Sequence, residues 1–238
     1  MFRNRNHAGQ ELARMVLQQQ IATEETLVLA LPRGGVPVAY EIAKALNTEL
    51  DVFLVRKLGL PGEEELAIGA IASGGVRVLN LELIKFLHLP GEVIERVASE
   101  EQMELLRREQ FYREGRGPIP VSGRAVIVVD DGLATGASML AAVRALRPQG
   151  VKRITIAVPV GSRQTCEELK NEADEILCAE TPEPFGAVGA WYEDFSQLTD
   201  DEVRRLLDNR ARRRSRQDPA CGVEAAAGGV FKGPEKRF

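Results

Sequence analysis

The run Val126-Ile127-Val128-Val129-Asp130-Asp131-Gly132-Leu133-Ala134-Thr135-Gly136-Ala137-Ser138 constrains the fold of this 238-residue chain more than any other segment. Its four leading apolar residues predict a short buried strand. Asp130 and Asp131 stand at the carboxyl end of that strand, and a turn of small residues leads into a helix starting near Ala137. The backbone N–H groups from Ala134 to Ser138 can converge on one phosphate, and the helix N-terminus adds a favourable dipole. The two acids cannot serve that same phosphate, because like charges repel. They suit sugar hydroxyls or a hydrated Mg2+ ion. A ribose 5-phosphate carries all the groups that such a unit would hold.

The rest of the chain repeats the pattern. An amphipathic helix is predicted from about Ala8 to Gln19, a strand over 26–31, a helix beginning at Pro37 and a strand over 50–55. Runs 67–72 and 76–79 flank Ser73-Gly74-Gly75 and predict a hairpin. A charged segment, 81–120, interrupts the alternation as a helical insertion, with a long helix over Gly91 to Tyr112. Its Glu100, Glu101, Glu104, Arg107, Arg108 and Glu109 are expected to form a solvated face, the alternative being an oligomer contact or a support for a closing loop. Strand 125–130, helix 137–147, strand 153–158, helix 163–172 and strand 175–179 follow, and Thr199-Asp200-Asp201-Glu202 is a capping box opening a final helix to about Leu207. Alternation of this kind predicts an α/β fold: a central, mostly parallel five-stranded sheet flanked by helices. The domain is expected to span 1–208, with 209–238 a disordered tail, since that stretch combines Arg212-Arg213-Arg214 with Gly, Ala, Pro and Lys and few core residues.

Other segments bear on chemistry. Pro32-Arg33-Gly34-Gly35 follows a strand and precedes a helix, so its glycines let backbone approach an anion to which Arg33 adds a permanent charge. Arg56 and Lys57 end a strand and are followed by a loop over 57–65 that is rich in glycine and acids. Between 185 and 195 the only tryptophan, Trp191, sits beside Tyr192, and aromatic rings suit stacking on a flat heterocycle.

The 126–138 run resembles the phosphoribosyl-pyrophosphate (PRPP) motif of the type I phosphoribosyltransferases, and the 31–36 loop is similar to that family's pyrophosphate loop at the same place upstream. Gly132 departs from the family, which usually has an aliphatic residue there. The resemblance covers about residues 1–208. Glu65-Leu66-Ala67-Ile68-Gly69-Ala70 and Trp191-Tyr192-Glu193-Asp194-Phe195 are similar to a bacterial branch of predicted phosphoribosyltransferases. The resemblance implies transfer of the phosphoribosyl group from PRPP to a nitrogenous base, with Mg2+ as cofactor and pyrophosphate released. Asp130 and Asp131 would hold the ribose hydroxyls and, largely indirectly, the metal. Ala134, Thr135, Gly136, Ala137 and Ser138 would anchor the 5-phosphate. Arg33, Gly34 and Gly35 would meet the pyrophosphate across a cis Pro32–Arg33 bond, with Arg56 and Lys57 near it. The loop over 57–65 would close over the site, and a small hood over 181–198 would bring Trp191 and Tyr192 to the base.

Members using 6-oxopurines carry an acid at the position of Ala134, so hypoxanthine and guanine are not expected acceptors. Nor does any motif near the hood supply a cation for the carboxylate of orotate. An aminopurine or another neutral heterocycle is the expected acceptor. The alternatives are a non-catalytic PRPP-binding regulator and a PRPP or ribose-phosphate hydrolase.

Composition narrows the classes. A net charge of −4 argues against a nucleic-acid-binding surface. No apolar stretch reaches the length of a membrane span, and the first residues lack the apolar core of a signal peptide. Three widely spaced cysteines form no zinc or disulfide pattern and predict reduced thiols in a cytoplasm. Two histidines leave little room for a histidine-built metal site. The expected partners are small molecules, with a homodimer as the assembly the family suggests.

Overall fold

The computed structural model describes residues 1–23 and 25–217. The first half runs α1 (Arg5–Gln18), β1 (Leu27–Ala30), α2 (Gly35–Leu46), β2 (Glu49–Val52), β3 (Val55–Leu60), β4 (Glu63–Ala72), β5 (Val76–Leu79), α3 (Leu81–Phe86) and α4 (Gly91–Arg113). The second runs β6 (Ala125–Val129), α5 (Ala137–Leu146), β7 (Arg153–Val160), α6 (Arg163–Leu169), β8 (Glu175–Glu180) and α7 (Asp200–Gln217).

Strands β2-β1-β6-β7-β8 form one sheet in that order, and every pairing in it is parallel. Strands that are apolar on both faces demand cover on both faces. Leu12, Val16, Val38 and Ile42 of α1 and α2 pack with Val28, Ala30, Ile127 and Val129 on one side, joined there by Val203 and Leu207 of α7. Met139, Val143, Cys166 and Leu169 of α5 and α6 pack with Leu27, Leu29, Val126, Val128 and Ile156 on the other. The sheet, its flanking helices and the insertion follow the sequence expectation.

Four expectations need correction. The strand over 50–55 divides: β2 ends at Val52, and Val55 starts a separate antiparallel sheet ordered β3-β4-β5. At the break the Leu54 N–H donates to Ser73 Oγ at 2.8 Å, so the hairpin turn, rather than the parallel sheet, takes the next backbone group. The loop over 57–65 is largely β3 and β4, paired from Val55↔Ala72 to Leu60↔Glu63 around a turn at Pro61 and Gly62. Its glycines and acids hid a strand that carries register shifts at Leu58–Gly59 and Gly59–Leu60.

The charged face of α4 is also not simply solvated. Arg56 of β3 forms ion pairs with Glu101 and, at 4.0 Å, Glu104. Glu109 is buried, accepting from Ser73 Oγ at 2.5 Å and lying 3.2 Å from Arg113. Arg113 in turn donates to Asp51 at 2.9 Å and to the Val52 carbonyl at 3.0 Å. This network ties the insertion to both sheets, while Glu100, Arg107 and Arg108 of the same helix remain exposed.

The capping box forms as expected: Thr199 N–H donates to Glu202 at 2.8 Å, and Glu202 N–H donates to Thr199 Oγ1 at 3.2 Å. The helix it opens runs on to Gln217, past the expected end near Leu207. Arg210 explains the extension: it is buried, and it donates to the Thr48 carbonyl at 2.8 Å and to Asn47 Oδ1 at 3.1 Å. The remainder of the expected tail, 218–238, lies outside the described residues. Among the described residues no helix is long and apolar enough to cross a membrane.

Candidate functional site

Ligands of open parallel sheets gather outside the carboxyl ends of the strands. Here β6 lies between β1 and β7, so three adjacent strand ends open on one place. Strand β1 runs into the Pro32–Gly35 loop, β6 into Asp130 and Asp131, and β7 into Gly161. The Pro32–Arg33 peptide bond is cis, as the resemblance implies. The loop lies directly on the acid strand. A Cβ on Gly35 would stand 2.5 Å from the Val129 carbonyl oxygen, and one on Gly34 would stand 2.0 Å from Asp131 Oδ2. Position 35 therefore requires glycine, since it faces backbone far inside carbon–oxygen contact distance, while a side chain at 34 would displace the Asp131 carboxylate. Arg33 reaches away from the acids, with its Nε 4.0 Å from Asp200.

After β6 the chain is pinned to β7 by Leu133 N–H to the Val160 carbonyl at 2.8 Å and by Ser162 N–H to the Leu133 carbonyl at 3.0 Å. Thr165 Oγ1 donates to the Ala134 carbonyl at 2.7 Å. Gly136, with φ +69°, is the N-cap of α5 and turns the chain into the helix. Thr135, Ala137 and Ser138 are exposed. Among the described residues, no acceptor takes the backbone N–H of Thr135, Gly136, Ala137 or Ser138. Unpaired amides at a ten-residue helix's N-terminus, held by bonds to the neighbouring loop, form an anion cradle.

The acid pair is electrostatically uneven. Asp131 N–H donates to Asp130 Oδ1 at 2.8 Å. Burial first, and the neighbouring Asp131 carboxylate second, push the Asp130 carboxyl well above the usual carboxylate range. Asp131 has a cation: Arg5 Nε donates to Oδ2 at 2.7 Å. Tyr192 donates its hydroxyl to the Asp131 carbonyl at 2.6 Å. Burial and the acid pair push the Tyr192 phenol upward, so it stays a donor.

The hood segment departs from its expected use. Tyr192 is buried, with Phe2 at 5.6 Å and Phe195 at 5.0 Å between ring centroids. Its faces are occupied, so it braces Asp131 and does not offer a stacking surface. Trp191 is half-buried and donates Nε1 to the Phe185 carbonyl at 3.0 Å. The departure at Gly132 has a packing reason here. A Cβ at that position would lie 2.5 Å from Val188 Cγ1, so the 3-10 turn Val188–Trp191 comes closer to the acids than an aliphatic residue would allow. The hood also contains a cation that no motif signalled. Arg5 lies over the Phe195 ring, 3.9 Å from its centroid. It is brought there because Phe2 and Arg3 pair with 191–194 (Phe2 N–H to Trp191 O, 2.8 Å; Asp194 N–H to Arg3 O, 3.0 Å). Only such long-range pairing could have revealed it.

Arg56 and Lys57 lie on a strand as expected, but at the start of β3 rather than at a strand's end. They line a cleft of about 610 Å³ together with Pro32, Gly62, Arg96 and Glu100. Lys57 also borders a second cleft, of about 620 Å³, that reaches Ala137 and Ser138. Arg56 is engaged by Glu101 across the first cleft's wall. No group of three or more metal-ligating side chains exists among the described residues. The paired acids suit a divalent ion whose remaining ligands come from a diphosphate and water. Asp130 supports that fit, since a carboxyl destabilised by its neighbour gains from an added cation.

Comparison with known proteins gives a consistent result. The family model for the phosphoribosyl transferase domain matches residues 3–192. A Mycobacterium tuberculosis (strain H37Rv) relative, provisionally named a phosphoribosyl transferase, is 44% identical over 227 residues, covering 95% of this chain and 50% of its own length. The chain thus spans about half the length of that relative. A uracil phosphoribosyltransferase from Dictyoglomus thermophilum is 30% identical over 142 residues, covering 58% of this chain and 66% of its own. The crystal structure of TT1426 from Thermus thermophilus is 43% identical with a TM-score of 0.77, covering 87% of this chain and 97% of that one.

Proposed function

The chain belongs to the phosphoribosyl transferase domain family, and on that premise we propose that it transfers the 5-phosphoribosyl group of PRPP to a nitrogenous base and releases pyrophosphate, with Mg2+ required. The observation that carries the reading is the union, at three adjacent strand ends, of an acid pair, an open amide cradle and a glycine-bearing loop with Arg33. One phosphate bound by the N–H groups of 135–138, and the ribose hydroxyls bound by Asp130 and Asp131, would hold the sugar at two points. Two-point holding fixes C1 for in-line attack and supplies much of the entropic part of catalysis. Bound Mg2+, held through Asp130, Asp131 and the diphosphate, would supply charge neutralisation for the departing pyrophosphate. Arg33 and Lys57 would add permanent positive charge around the same leaving group. Positive charge that develops at C1 would be stabilised by the acids below the ring.

For the acceptor, Ala134 leaves no carboxylate to exchange a proton with a purine N7, which disfavours hypoxanthine and guanine. We keep a neutral heterocycle as the acceptor class. Arg5 is committed to Asp131 and Ser196, which speaks against its binding an acceptor carboxylate. Trp191 is the remaining aromatic candidate for stacking.

Calorimetry with PRPP and Mg2+ tests the reading. Wild-type protein should bind, and Asp130→Asn/Asp131→Asn should lose binding with its melting transition retained. Wild-type affinity in the double variant would refute the site. Assays of pyrophosphate release with adenine, guanine, hypoxanthine, uracil and orotate then separate transfer from the alternatives. Release without any base would indicate a hydrolase, and binding without release would indicate a regulator.

A further inference from the structure

We propose that Arg5 is a positioning residue for PRPP: it holds the Asp131 carboxylate in its ribose-binding orientation by linking the chain's first residues to the acid strand. The proposal rests on the function above.

Arg5 has three partners. Its Nε donates to Asp131 Oδ2 at 2.7 Å, one Nη donates to the Ser196 carbonyl at 2.9 Å, and the guanidinium lies over the Phe195 ring. Its side chain is 11% exposed and that of Asp131 15%, so water screens the pair little. Among the described residues Arg5 is the cation that pairs with Asp131. Without it, Asp131 Oδ2 would lose the donor that fixes its orientation, and the carboxylate would be free to rotate about its side-chain bonds.

Local helix physics does not account for an arginine here. Arg5 is the first residue of α1, capped by Asn4, and no acid stands in the first turn. A cation at a helix N-terminus opposes the helix dipole. The unfavourable placement is offset by what the side chain reaches, 126 positions along the chain. The backbone that carries it is held on both sides: Phe2 and Arg3 pair with the hood segment, and Ala8, Leu12 and Val16 of α1 are fully buried. Asp131 is thereby gripped at two points besides its own strand, at Oδ2 by Arg5 and at its carbonyl by Tyr192. Asp131 and the hood are thereby linked through Arg5 and Tyr192, so disordering the first residues should weaken sugar binding.

The test uses the full chain with PRPP and Mg2+. Wild-type binding establishes the underlying function; its absence would sink that function and is read separately from the variants. Given binding, Arg5→Ala should weaken PRPP affinity by about 10- to 100-fold, by analogy with the loss of a partner that orients a metal-ligating side chain. In turnover, KM for PRPP should rise more than kcat falls. Millimolar methylguanidinium should restore much of the loss, which a general folding defect would not allow. If Arg5→Ala does not fold, Arg5→Gln keeps most of the side chain's bulk without its charge and should show the same weakening. A folded variant, Ala or Gln, with wild-type PRPP affinity, or a loss that methylguanidinium leaves unchanged, would overturn the proposal.

Discussion

Gly132→Ala should destabilise the protein through one contact, and Val188→Ala should undo most of it. A Cβ at 132 would meet Val188 Cγ1 at 2.5 Å, Cγ2 at 2.8 Å and Val160 Cγ1 at 3.2 Å. Carbon atoms prefer about 3.5–4.0 Å, so the first two contacts overlap by roughly 1 Å. Overpacking of this kind costs about 1–3 kcal/mol. The backbone at 132 is not in the left-handed region, so none of the cost comes from φ. For a chain of this size it corresponds to a melting point lower by about 2–12 °C. Val188 is half-buried, so Val188→Ala alone should cost about 1 kcal/mol for the apolar surface lost. In the double variant the clash is absent, and the loss should stay near that figure, a coupling of about 1–3 kcal/mol. Urea unfolding of the four proteins measures it. Additive losses would refute the packing account of Gly132, as would a Gly132→Ala midpoint equal to wild type. PRPP affinity should follow the same pattern, because the displaced turn carries Trp191 and leads into Tyr192, which braces Asp131.

Asp130→Asn should stabilise the ligand-free protein while it removes PRPP binding. The folded chain raises this carboxyl's pKa, so ionising it costs more folded than unfolded; stability should fall as pH rises from the ordinary carboxylate range through the raised folded value. Asparagine keeps an Oδ1 to accept from the Asp131 N–H. Thermal melts across pH should show the variant above wild type at neutral pH and level with it in acid; a lower melting point at neutral pH would contradict this. Ending the chain before Arg210 should cost about 2–4 kcal/mol, since Thr48 and Asn47 lose their buried donor and a turn of α7 is lost. A truncated protein as stable as wild type would show that Arg210 contributes nothing.

The resemblance carried by 126–138 and 31–36 located the acid pair, the turn of small residues that opens α5 and the cis bond, because each depends on contiguous residues whose local geometry is written in their order. The parallel sheet was legible for the same reason: apolar runs alternated with helical spacing. The second sheet was not, because β3 and β4 carry glycines and acids that local patterns assign to a loop, and only pairing with β5 and packing on α4 hold them extended.

Residues whose roles depend on distant partners stayed hidden. Glu109 reads as one charge in a solvated run until Ser73 and Arg113 are folded against it. Tyr192 reads as a stacking ring until Phe2 and Phe195 cover it. Arg210 reads as part of a polar tail until Thr48 accepts from it. The amino-acid order by itself determined the elements and the chemistry available at the strand ends, since both arise from short-range spacing and side-chain type. Tertiary structure alone decided which charges are compensated, because burial and pairing across 126 positions, as between Arg5 and Asp131, leave no trace in local sequence.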